Sequence, residues 1–122
     1  MTSQDCNNVF NIKRIKNAFG YSCKGLRSAY QSEAAIRQEL VIILALSFSL
    51  CFIDVSTIEM ILMLGSLVLI LIVELINSAI EAVVDRIGTE HHHLSGKAKD
   101  IGSASVMVTM ILSAFIWISI LL

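Results

Sequence analysis

The 122-residue chain contains no proline. Proline is the residue that removes a helical N–H and clashes with the preceding turn, so nothing in the composition forces long helices to break. Cysteine is sparse as well: Cys6, Cys23 and Cys51 are odd in number and lack metal-ligand spacing, which argues against a disulfide framework and leaves them as small apolar residues. Charge is scarce, with 9 Lys or Arg against 10 Asp or Glu and a net charge of −1. No nucleic-acid partner is expected of such a chain. The first 20 residues hold no apolar core segment of the signal-peptide kind, so no cleaved leader is expected.

Hydrophobic residues, by contrast, make up 56% of the chain, and the mean hydropathy is +0.78. These values describe a single-domain integral membrane protein. Ile101 to Leu122 runs for 22 residues without a charge, enough at about 1.5 Å per residue to cross a hydrocarbon core of roughly 30 Å. Leu40 to Ile53 and Met60 to Val73 are uncharged for only 14 residues each. They reach spanning length by taking in their polar flanks, Glu33 to Glu39 and Glu74 to Asp85. The reading is an all-α membrane protein with an N-terminal amphipathic surface helix over about residues 10–31 and spans over about 33–53, 57–87 and 97–121. In the first of these segments Ile12, Ile15, Phe19, Cys23, Leu26 and Tyr30 form an apolar arc bordered by Lys13, Lys16, Lys24 and Arg27, as on a helix lying in an anionic interface. Ser56 is placed to cap the second span and Gly88 to stop it. Basic residues gather before the first span and between the second and third. By the positive-inside rule the N-terminus is therefore cytoplasmic and the C-terminus periplasmic, in a multi-pass protein of the inner membrane.

Glu74, Asn77, Glu81 and Asp85 follow one another at spacings of three, four and four, which on a helix confines them to an arc of roughly 80°. Carboxylates at the end of an apolar run are costly and point to a protein interior, a water-filled cavity or a metal ion. Glu33 and Glu81 can occupy one depth on packed helices, a pair suited to magnesium completed by water or phosphate. Glu33 with Arg37 is equally an ordinary i, i+4 ion pair. Lys99 and Asp100 open the third span; the lysine could meet a phosphate or simply flank the membrane. Arg14 and Tyr21 lie opposite the apolar arc of the first helix. Consecutive residues His91, His92 and His93 do not readily face one ion and read as a solvated loop. The polar faces at Glu33/Arg37, Glu74 to Asp85 and Lys99/Ser103 would meet lipid in a monomer, so a homo-oligomer is expected. There is no G-x-x-x-x-G-K-[ST] and no nucleophile elbow. From spacing alone a phosphotransferase, a small cation- or proton-coupled transporter and an assembly subunit remain open.

The segments GYSCKGLRSAY (20–30), EAAIRQE (33–39), VELINSAIEAVVDRIG (73–88) and HLSGKAKDIGSASV (93–106) resemble the small integral-membrane prokaryotic diacylglycerol kinases. The resemblance implies a homotrimer with active sites shared between subunits, ATP and magnesium as cosubstrate and cofactor, and diacylglycerol as lipid substrate. A related kinase of the same fold acting on undecaprenol is the nearest alternative. By similarity Glu74 is the general base and Glu33 and Glu81 hold magnesium. Arg14, Tyr21, Glu33, Glu81, Glu90, His92, Lys99 and Asp100 surround the nucleotide, with Asn77, Asp85 and Ser103 in supporting positions. Cys23 stands where relatives carry tryptophan and Ser32 where they usually carry asparagine. The first changes an interfacial anchor and the second a polar neighbour of Glu33.

Overall fold

The computed structural model describes residues 11–88 and 90–122. Its chain divides into two compact units, Met1–Ser32 and Glu33–Leu122. The first contains helix α1, Ile12–Ser32. Asn11 Oδ1 accepts the Lys13 backbone N–H at 3.0 Å, which satisfies one of the N–H groups left over at the helix start. No residue of α1 is buried, and Ile12, Ile15, Phe19, Leu26 and Tyr30 are all exposed within the single chain.

The second unit is three helices. Helix α2, Ala34–Ser49, tightens into a 3₁₀ turn at Leu50–Phe52; α3 is Thr57–Ile87 and α4 is His93–Leu121. Ala34–Phe52, Thr57–Ile87 and His93–Leu121 are each long and apolar enough to cross a membrane. Glu33 separates α1 from α2 because its backbone is extended, with φ −110° and ψ 112°. Ser56 caps α3 as its place in the sequence predicts. Its Oγ accepts the Glu59 N–H at 3.3 Å while Glu59 Oε2 accepts the Ser56 N–H at 2.8 Å, a reciprocal capping box. Gly88 ends α3, but with φ 173° it is extended rather than left-handed, so the stop does not depend on glycine. Helix α4 starts at His93, four residues before the third span expected at about 97, so His93 belongs to the helix and not to the loop. His92 explains this: its Nδ1 accepts the Leu94 N–H at 3.1 Å, so a histidine does the work of the usual short polar cap.

Helix α3 is central, packing extensively on α4 and more lightly on α2. Its interior is thin. Met63 is fully buried, and Leu67, Ile70 and Val84 on α3 join Ile36, Leu50 and Val106. Most remaining large apolar side chains face outward, which costs nothing where the surroundings are acyl chains rather than water. The α3–α4 pair is antiparallel, and three polar contacts and one close approach mark its register. Asp85 meets Lys99, Asn77 meets Gly102, Ser66 meets Ser113 and Met63 meets Trp117.

Candidate active site

Because α3 is helical throughout, the stripe from Glu74 to Asp85 descends one face of it. Burial falls steadily along that stripe. Glu74 and Asn77 are each 8% exposed, Glu81 is half-buried and Asp85 is exposed. Helix α2 brings two more carboxylates. Half-buried Glu33 stands at its N-cap, and Glu39, only 8% exposed, lies in the interior with Ile36. Glu74 lies close enough to Glu33, Glu39 and Glu81 for its charge to be felt by or from each of them. A group of carboxylates in a low dielectric repels itself, and such a group is stabilised by a proton or a cation. Glu39 Oε2 is buried and without a hydrogen-bond partner.

Among the described residues no three His, Cys, Asp or Glu side chains are arranged to enclose a metal ion. Magnesium does not require such a cage, since it is held by one or two carboxylates and completed by water and phosphate oxygens. The Glu33 and Glu81 oxygens fit that donor set. Of these carboxylates, Glu39 lines a groove between all three helices, about 380 Å³ in volume, with Ile43, Leu67, Ile70, Met110 and Trp117 among its other walls.

The remaining predicted residues are distributed unevenly. Lys99 Nζ donates to Asp85 Oδ1 at 2.7 Å, so in the single chain its partner is a carboxylate and not an open position for phosphate. Both side chains are substantially exposed, at 42% and 67%. Such a pair holds its members weakly and can exchange. Glu90 and His92 share one hollow with Val84, Gly88 and Ser95. Asp100 lines a different one with His91, His93 and Lys97. Arg14 and Tyr21 line a shallow face of α1 together with Lys13 and Asn17. Ser103 is exposed on α4.

A family model described as prokaryotic diacylglycerol kinase matches residues 20–121. The chain belongs to the prokaryotic diacylglycerol kinase family. It is similar to the diacylglycerol kinase of Escherichia coli (strain K12), 51% identical over 111 residues that cover 91% of each chain. The diacylglycerol kinase of Haemophilus influenzae is 47% identical over 110 residues, 90% of this chain and 93% of that one. The Pseudomonas aeruginosa enzyme is likewise 47% identical, over 91% of this chain and 90% of its own. Membership in this family makes the protein a lipid kinase of the membrane, and kinase chemistry calls for ATP and a divalent cation. It decides between the phosphotransferase and the transporter that spacing alone left open. Arg14 lies before the segment that the family model matches.

The structure adds two residues, Glu39 and Gly102, to those that the sequence marks. Glu39 falls within a polar flank of the sequence, yet its spacing of three from Ile36 sets both on one face, the one α2 buries. Gly102 carried a signal too, being a glycine inside a long helix, a placement that usually has a packing reason.

Proposed function

We propose that this lipid kinase phosphorylates diacylglycerol to phosphatidate, using ATP and magnesium at the cytoplasmic face of the inner membrane, with Glu74 as the general base. The observation that carries the reading is the position of Glu74. It is buried within electrostatic reach of Glu33, Glu81 and Glu39, and Glu39 lines an apolar groove, so charged and apolar surroundings join there. A diacylglycerol whose acyl chains lie in hydrocarbon presents its free hydroxyl at that junction. The hydroxyl proton passes to the Glu74 carboxylate, the alkoxide oxygen forms a bond to the γ-phosphorus, and the bond to the β-phosphate oxygen breaks to release ADP. Glu74 later returns its proton to water. Glu33 and Glu81 would hold magnesium, which supplies charge neutralisation on the transferring phosphoryl group. Lys99, freed from Asp85, adds a point charge at the phosphates, while Arg14, Tyr21, Glu90, His92 and Asp100 surround the nucleotide and Asn77, Asp85 and Ser103 support the site.

In this reading α1 is an amphipathic surface helix and the active enzyme is a homotrimer whose sites draw on more than one chain. The exposed apolar arc of α1 supports the first. The dispersal of nucleotide residues over separate hollows of one chain supports the second. The test is ATP-dependent transfer of labelled phosphate into extractable lipid by the purified protein in micelles. Diacylglycerol and undecaprenol are offered in parallel with and without magnesium. Labelling of diacylglycerol that requires magnesium is expected; labelling of undecaprenol alone would reassign the substrate.

A further inference from the structure

Glycine weakens a helix relative to alanine, and it persists there where something must approach the backbone closely. At Gly20, Gly25, Gly65 and Gly96 an added Cβ would meet nothing within 4 Å. Gly102, buried on α4, is different. A Cβ there would overlap Asn77 Oδ1 and lie 3.3 Å from Asn77 Cγ, and no other atom is within 4 Å of it. The contact is therefore specific to one side chain. Asn77 is itself buried and its Oδ1 has no hydrogen-bond partner, so the amide is not held there by a donor. The space left by the missing Cβ is what admits it. Asn77 also stands within the carboxylate stripe, three residues after Glu74 and four before Glu81. A change in how deeply Asn77 sits on α4 can therefore be passed to the segment of α3 that bears both glutamates.

We propose that Gly102 is a positioning residue for phosphoryl transfer, its bare backbone seating Asn77 against α4 and so fixing the direction in which α3 presents Glu74 and Glu81. The proposal rests on the assignment of those two glutamates given above. To clear a methyl group at position 102, Asn77 must retreat by about 1 Å. A misplacement of that size in a catalytic constellation costs up to about 10²-fold in rate. If the Asn77 amide could instead swing aside with α3 unmoved, the rate would not change.

The experiment is a double-mutant cycle in detergent micelles on the full chain, comparing Gly102→Ala, Asn77→Ala and the double variant with the parent. Gly65→Ala is the control for adding a methyl to a helix in open space. Turnover, magnesium-dependent binding of a fluorescent ATP analogue and resistance to unfolding in SDS are measured for each. Gly102→Ala should lower turnover about 10²-fold while Gly65→Ala leaves it unchanged. In the Asn77→Ala background the Gly102→Ala change should have no further effect on nucleotide binding, on unfolding, or on whatever turnover remains, because nothing is left for the new methyl to meet. Equal losses in both backgrounds would overturn the proposal, as would an unaltered turnover for Gly102→Ala. Should Gly102→Ala fail to fold, recovery of folding on adding Asn77→Ala supports the seat and failure to recover overturns it. The base assignment stands apart, since Glu74→Gln can retain turnover, and so refute that assignment, while the cycle stays fully coupled.

Discussion

Two stretches of the α3–α4 pair, one around Ser66 and one around Glu74, both bury polar groups but treat them in opposite ways. At the first, Ser66 Oγ donates to the Met63 carbonyl at 2.8 Å and lies 2.9 Å from Ser113 Oγ, while Trp117 Nε1 donates to the same carbonyl at 3.2 Å. Every one of those side chains has a partner. At the second, Glu39 Oε2 and Asn77 Oδ1 have none, and Glu74 lies within electrostatic reach of Glu33, Glu39 and Glu81. An unsatisfied buried acceptor costs about 1–3 kcal/mol, so a fold keeps one where a ligand, proton or cation completes it. On the function proposed above, the satisfied stretch serves stability and the unsatisfied one serves binding and chemistry.

Substitutions can break or sharpen that contrast, and the largest effect is expected at the unsatisfied stretch. Glu74→Gln keeps shape but cannot accept a proton, and losing a general base lowers turnover by about 10²–10⁴-fold; binding of the ATP analogue should survive. Near-normal turnover in this variant would move the base elsewhere. Glu81→Gln should raise the magnesium concentration for half-maximal activity by about tenfold or more, with excess magnesium restoring part of the rate. An unchanged magnesium dependence in both Glu33→Gln and Glu81→Gln variants would remove the metal from this pair. If Arg14 and Glu81 of different subunits build one site, inactive Arg14→Ala and Glu81→Gln proteins should complement each other in mixed oligomers. With exchange verified by labelled subunits, persistent inactivity would place both contributions in one chain.

At the satisfied stretch the expectation reverses, with stability lost and activity kept. Ser66→Ala removes a hydroxyl that joins α3 to α4 and should lower resistance to unfolding by about 0.5–1.5 kcal/mol, leaving turnover near that of the parent. A large loss of turnover with unchanged stability would contradict the division between the two stretches. The smallest effect is expected from Asp85→Asn. Its ion pair with Lys99 is exposed and screened by solvent, so resistance to unfolding should stay close to that of the parent.

Much of the architecture can be read from the residues because each signal is local. One long apolar run and two shorter ones extended by their polar flanks mark three helices able to cross a membrane, Ser56 announces the start of α3, and spacings of three and four set Glu74, Asn77, Glu81 and Asp85 on one face. The start of α4 was less legible, because a histidine cap carries no ordinary cap signature. Family membership, likewise, is legible in the short motifs that the chain shares with its relatives. Which face meets which neighbour is another matter. Periodicity states that residues share a side of a helix and is silent on what that side packs against. Only the packing of α2 on α3 buries Glu39 beside Glu74, and only the antiparallel register of α3 and α4 sets Lys99 on Asp85 and Gly102 beneath Asn77. These pairings join residues far apart in the chain, so close packing in three dimensions decides them, and no local pattern can.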